Sequence, residues 1–155
     1  MNDKDFMRMA IELAIENIKN NGGPFGAVIT KNGEIIASGV NRVTANNDPT
    51  AHAEVNAIRQ ACHKLNTFNL EGCSIYTSCE PCPMCLGAIY WAHIDKIYYG
   101  CNKHDAAEAG FDDSFIYKEL SLSNEEREKV MKILLPEEAI ATFKQWAKAT
   151  DKIEY

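Results

Sequence analysis

At 155 residues, with 46% hydrophobic and 25% charged side chains, the chain has the make-up of one globular domain. A formal charge of -6 weighs against a protein that grips phosphate backbones, and no apolar run approaches the ~20 residues of a membrane span. Met1-Asn2-Asp3-Lys4-Asp5 lacks the basic-then-apolar order of a secretory signal, so the expected location is the cytoplasm, where six cysteines point to metal or catalytic roles.

Residues 3 to 20 place Phe6, Met9, Ala10, Leu13, Ala14 and Ile18 at helical spacing, and Gly22-Gly23-Pro24 ends the run. Two strands follow, Phe25 to Thr30 and Glu34 to Val43, joined by Lys31-Asn32-Gly33. Asn-Gly supplies the positive-φ residues of a tight hairpin turn. After the loop Asn46-Asn47-Asp48-Pro49, a helix is expected from near Ala51 to about Leu65, and Ser74 to Cys79 reads as a buried strand. Pro81 and Pro83 suit only a helix's first turn, so a helix should run from there to about His93. Lys96 to Cys101 is the next strand. The order α-β-β-α-β-α-β, followed by helices, implies one mixed α/β sheet covered on both faces. Glu125-Glu126-Arg127-Glu128-Lys129 reads as a solvated helix face. Residues 136 to 149 read as an amphipathic helix with Ile140, Phe143, Trp146 and Ala147 on one face.

The chemistry lies in a split pattern, Pro49-Thr50-Ala51-His52-Ala53-Glu54 and, 25 residues later, Cys79-Glu80-Pro81-Cys82-Pro83-Met84-Cys85. One imidazole and a Cys-x-x-Cys pair give a tetrahedral zinc three protein ligands, and a catalytic site leaves the fourth position to water. Cys82 and Cys85 sit at i and i+3 in the first turn of the expected helix, where the helix N-terminus favours thiolates. Cys79 forms a competing Cys-x-x-Cys pair with Cys82, but falls at the end of the preceding strand. His52 is the third expected ligand. Periodicity does not explain how His52 and Glu54 reach one site, because i and i+2 on an ideal helix point to nearly opposite sides. Zinc brings the pKa of bound water toward ~7, and Glu54 is the carboxylate left to carry its proton. Cys62, Cys73 and Cys101 have no chemical spacing and read as buried free thiols.

H-x-E with P-C-x-x-C is the signature of zinc nucleobase deaminases. The two segments, extended through Leu86-Gly87-Ala88-Ile89, resemble the cytidine deaminase-like superfamily. Phe25-Gly26-Ala27-Val28-Ile29 and Asn41 fall where that superfamily has its first strands and a substrate-binding Asn. The metal motif alone does not choose among cytosine, guanine and tRNA-adenosine deaminases. The stretch from Asp105 to Glu119 and the ending Lys152-Ile153-Glu154-Tyr155 look like the bacterial guanine deaminases within it. The resemblance covers essentially the whole chain, more weakly from Leu120 to Leu135.

The resemblance implies a three-layer α/β/α fold with a central mixed five-stranded sheet, as a single domain over residues 1–155. It implies hydrolytic deamination of guanine to xanthine and ammonia, with one Zn2+ per subunit on His52, Cys82 and Cys85 and Glu54 as proton shuttle. Asp113 would engage the exocyclic amine and Asn41 the other side of the ring, with Ala53 among the substrate contacts and Phe25 and Trp91 as aromatic walls. Residues 136–155 would cross to a neighbouring subunit, placing Tyr155 on the partner's site in a domain-swapped homodimer. The expected partners are a small-molecule purine and a second copy, with no nucleic acid and no membrane. The alternatives are deamination of another nucleobase, an aminoazine or tRNA adenosine, and a non-enzymatic zinc module, which would want a fourth protein ligand.

Overall fold

A computed structural model describes residues 1–155, which divide into two compact units, Met1–Asp113 and Ser114–Tyr155. In the first unit, α1 (Asp3–Lys19) opens on a capping box. The Asn2 side chain accepts the Asp5 N–H at 3.1 Å, and the Asp5 carboxylate accepts the Asn2 N–H at 2.9 Å. The buried stripe is Phe6, Ala10, Ala14 and Asn17, whereas Ile18 is 53% exposed. Steps of four, four and three hold one helix face, so the stripe ends on an asparagine and not on the isoleucine beside it.

The hairpin of β1 (Gly26–Lys31) and β2 (Glu34–Val40) turns through Asn32 at φ 51° and Gly33 at φ 77°. Strand β2 stops at Val40, short of the expected Val43. The Asn41 N–H turns to the Phe25 carbonyl and the Arg42 N–H to that of Ala51, and a short helix, α2 (Val43–Asn46), takes up the remainder. Then come α3 (Ala53–Leu65), β3 (Cys73–Cys79), α4 (Pro83–Trp91) and β4 (Lys96–Cys101).

The sheet has four strands in the order β2-β1-β3-β4, not the expected five. Strand β1 runs antiparallel to both neighbours, and β3 runs parallel to β4 through α4. No fifth strand forms because the chain beyond Cys101 turns at once to helix. Asn102 caps α5 (Lys103–Glu108) with a second capping box, and α6 (Ser114–Leu120) follows.

The two inner strands are buried on both faces, and their side chains alternate between two cores. Val28 and Tyr76 meet Phe6 and Ala10 of α1 on one side. Ala27, Ile29 and Ile75 meet Ala53, Ala57 and Ala61 of α3 and Ile89 of α4 on the other. Gly39 lets α3 lie close to the sheet, since an added Cβ there would sit 2.6 Å from the Ala57 amide nitrogen. Cys73 is buried and Cys62 half-buried, but Cys101 is exposed on edge strand β4, contrary to the expected buried thiol.

In the second unit no residue is buried. The Glu125–Lys129 run is not a helix face: it lies in turns, with Arg127 Nε donating to the Glu119 carbonyl at 2.8 Å and Glu128 N–H to the Glu119 carboxylate at 3.0 Å. Helix α7 (Pro136–Lys148) starts at a proline, and Lys152 Nζ closes its end on the carbonyls of Trp146 and Ala147, each at 3.1 Å. No helix of the chain is long and apolar enough to cross a membrane.

Candidate active site

Two helices begin at residues whose side chains do not cap them. His52 is the N-cap of α3 (φ -71°, ψ 158°) and Cys82 the N-cap of α4 (φ -66°, ψ 168°), both extended and neither making a side-chain cap bond. Ser, Thr, Asp or Asn would ordinarily occupy such positions. His52 is anchored through its backbone instead: its N–H donates to the Thr50 carbonyl at 2.8 Å and its carbonyl accepts from Asn56 N–H at 3.0 Å. That geometry removes the difficulty posed by the His52–Glu54 spacing. His52 lies outside the helix on extended backbone, so the helical angle between i and i+2 does not apply, while Glu54 sits in the first turn of α3.

The His52 Nδ1 faces both sulfurs, at 3.6 Å from Cys82 Sγ and 3.4 Å from Cys85 Sγ. All three donor atoms lie within 4.8 Å of one another. A tetrahedral zinc with ordinary Zn–S and Zn–N bonds holds its sulfur and nitrogen ligands about 3.5 Å apart, so this donor set fits zinc in both chemistry and spacing. Cys79 is not in the cluster. It ends β3, buried, with its thiol donating toward the Asn102 carbonyl at 3.8 Å, and burial with the neighbouring Cys101 pushes that thiol up to about 12.

Electrostatics separate the two clustered sulfurs. A hydrogen bond from the Cys85 thiol, with another from His52, holds Cys82 down at about 4, whereas that same pairing and burial push Cys85 up. Cys82, at the N-terminus of α4, is thus the readier thiolate of the two, and a bound cation would favour the thiolate of both. His52 is raised by its hydrogen bond to Cys82. Glu54, only 7% exposed, is raised by desolvation and lies within electrostatic reach of Cys82 and His52. A buried carboxyl held against the ligand set, and not itself one of the three clustered donors, can take a proton and give it back.

Ala53 is fully buried between His52 and Glu54. Asn41 is half-buried, and its side-chain oxygen accepts the Val43 N–H at 3.2 Å, which leaves its amide hydrogens for other partners. Phe25 is half-buried and meets Phe111 edge-on, ring centroids 4.9 Å apart. Asp113 is raised by burial and, to a smaller extent, by the negative charges of Cys82 and Glu80. Trp91 lies at the opposite end of α4 from Cys82 and is 69% exposed. Tyr155 belongs to the second unit and is 79% exposed. The sequence did not single out Phe111, which meets Phe25, or Asn17 and Asn56, whose side chains donate to backbone carbonyls at or next to Asn41 and His52. For Asn17 the available signal was a polar residue at a stripe position of α1.

Residues 1–101 match the family model for the cytidine and deoxycytidylate deaminase zinc-binding region. The guanine deaminase of Bacillus subtilis is 53% identical over 156 aligned residues, spanning 100% of both chains. Its X-ray structure superposes with a TM-score of 0.97, covering 100% of this chain and 99% of that one. A tRNA-specific adenosine deaminase of Aquifex aeolicus is 40% identical over 113 residues, 72% of this chain and 75% of that protein. A structure of the guanine deaminase from Nitrosomonas europaea matches at 34% identity and TM-score 0.70, over 72% of this chain and 65% of that one.

Proposed function

Since this chain belongs to the cytidine and deoxycytidylate deaminase zinc-binding family, we propose that it is a guanine deaminase, a zinc-dependent hydrolase that converts guanine and water to xanthine and ammonia. The observation that carries this reading is the convergence of His52 and Cys82 at two helix N-caps with Cys85 and the buried Glu54 carboxyl, in a chain similar over its full length to a guanine deaminase.

His52, Cys82 and Cys85 hold the metal, and zinc supplies a Lewis acid that makes water nucleophilic near neutral pH. Glu54 takes the proton that water loses and delivers it to N3 of guanine as oxygen adds at C2. It then transfers the second proton to the C2 amine, which leaves as ammonia. Burial suits Glu54 to this task, because desolvation raises a carboxyl's proton affinity and lets it act as acid as well as base.

Guanine presents N1–H and the C2 amine as donors, and O6 and N7 as acceptors. Asp113 accepts from the donor edge, and the free Asn41 amide hydrogens serve an acceptor. Phe25, braced by Phe111, forms one apolar wall, and Ala53 joins His52 to Glu54 behind it, whereas Trp91, at the far end of α4 and exposed, offers no wall to this site within its own chain. Residues 136–155 pack on a second copy as a domain-swapped homodimer, with Tyr155 acting on the partner's site. The support for this is an amphipathic helix with Ile140, Phe143 and Trp146 at 47%, 70% and 44% exposure. The metal site needs reduced thiols, which suits a cytoplasmic enzyme.

The test is ammonia release from the zinc-loaded protein with guanine, guanosine, cytosine and adenine in parallel. Ammonia from guanine with stoichiometric xanthine is the expected result. Turnover on another base with none on guanine would discard the substrate, and salt-dependent tRNA binding would revive the tRNA-adenosine alternative. Glu54→Ala should keep zinc and lose about 10³-fold or more in turnover. Removal of Lys152–Tyr155 should abolish guanine turnover. Full activity, or a monomeric mass for the intact protein, would refute the swapped tail.

A further inference from the structure

The stripe that ends on Asn17 points to a second layer beneath the purine site. Asn17 is 5% exposed, and burying a carboxamide is costly unless its polar atoms are partnered. Its side-chain nitrogen donates to the Gly23 carbonyl at 2.8 Å and to the Asn41 carbonyl at 2.9 Å. Those bonds use both hydrogens of the amide, and two carbonyl partners fix which end of it is nitrogen.

The surrounding chain is shaped to this amide. The Asn17 carbonyl accepts the Gly22 N–H at 2.8 Å, so the loop leaving α1 wraps its last turn. An added Cβ at Gly22 would lie 2.6 Å from Asn17 Cγ, and one at Gly23 would lie 3.0 Å from Asn41 Cγ. The Phe25 N–H donates to the Gly23 carbonyl at 2.9 Å, and the Asn41 N–H to the Phe25 carbonyl at 3.3 Å. The backbones bearing Phe25 and Asn41 are therefore tied to each other, and both ends of that tie are held by one side chain on a neighbouring helix. On the other side, Asn56 of α3 donates to the Val40 carbonyl at 2.8 Å and the Ala51 carbonyl at 3.3 Å, joining the residue before Asn41 to the residue before His52.

We propose that Asn17 is a positioning residue for purine binding, fixing the backbone of Asn41 so that its amide is presented to the base. The inference rests on the reading that Asn41 contacts the purine. Asn17 itself belongs to the layer behind the site and is not a catalytic residue. It is remote in role from the metal ligands, so its loss is felt in purine affinity and not in zinc binding.

The experiment compares Asn17→Leu, Asn41→Ala and the double variant as zinc-loaded full-length proteins. It reads KM and kcat for guanine, calorimetric binding of 8-azaguanine, and zinc per chain. Asn17→Leu keeps the size of the side chain and leaves two carbonyls without donors. It should raise KM, and weaken 8-azaguanine binding, by about tenfold, with kcat within about threefold and zinc unchanged. In the Asn41→Ala background the same change should cost less than about twofold, because the two residues act in series. Effects that multiply in the double variant, or a fall in kcat at constant KM, would overturn the proposal in favour of a scaffold role. Should Asn17→Leu not fold, Gly22→Ala pushes a methyl into the same amide while keeping its donors, and should raise KM in the same sense. An unchanged KM in that variant would count against the proposal. If Asn41→Ala alone leaves KM unchanged, the substrate contact itself fails, and the positioning role falls with it. If Asn41→Ala raises KM and Asn17→Leu does not, only the positioning role fails.

Discussion

The two units of this chain treat their apolar side chains in opposite ways. Residues 1–113 close two cores on a four-stranded sheet and bury Ile29, Ile75 and Ile89 almost completely. Residues 114–155 bury nothing, although α7 carries an apolar stripe as clear as that of α1. The Aquifex tRNA-specific enzyme aligns with 72% of this chain, whereas the Bacillus guanine deaminase aligns with all of it. The first unit holds both cores and the His52, Cys82 and Cys85 donor set. The second carries an amphipathic helix whose Ile140, Phe143 and Trp146 are exposed.

The largest effect that would sharpen this contrast is loss of the metal. Cys85→Ala or His52→Ala should weaken zinc binding by more than about 100-fold, since losing even an outer partner of a ligand costs up to that much. Metal analysis after dialysis reads this, and retention of zinc by either variant would move the centre elsewhere. Next, Gly39→Ala places a methyl against backbone of α3 that cannot turn aside, and should destabilise the first unit by about 2–3 kcal/mol in urea titration while slowing turnover. Ile29→Ala should cost about 3 kcal/mol at any protein concentration. In the proposed dimer, Phe143→Ala should instead act mainly through dissociation of the two copies, measured by sedimentation across a dilution series. A Phe143→Ala effect independent of concentration would break the contrast, because the stripe would then be buried within its own chain.

The smallest effect is alkaline. Tyr76 donates to the Asp3 carboxylate at 2.7 Å, and burial with that bond pushes its hydroxyl from 10 up to about 12. A tyrosine whose pKa is raised on folding contributes stability that is complete below pH 10 and lost as pH rises through about 12. Tyr76→Phe should therefore lower stability at neutral pH by about 1 kcal/mol and flatten the alkaline fall of the wild-type protein. An unchanged alkaline limb would show that another group governs it.

Much of this protein follows from local rules that need no neighbour in space. Asn32-Gly33 dictated the hairpin and Pro83 and Pro136 dictated helix starts, because each depends on backbone preference within a few residues, while the ligand types of His52 and Cys82-x-x-Cys85 named a zinc chemistry without saying how the two segments meet. What those rules could not reach was decided by contacts between distant segments. His52 meets the sulfurs because it caps α3 on extended backbone and α4 begins beside it. Asn17 is buried because carbonyls six and 24 residues away need its two hydrogens. Burial of Glu54 sets its proton affinity, and the absence of a fifth strand follows from the capping box that starts α5 directly after β4. Periodicity names the face a residue occupies. Only packing decides what that face meets, since desolvation and hydrogen-bond partnership belong to the assembled structure and not to the chain that forms it.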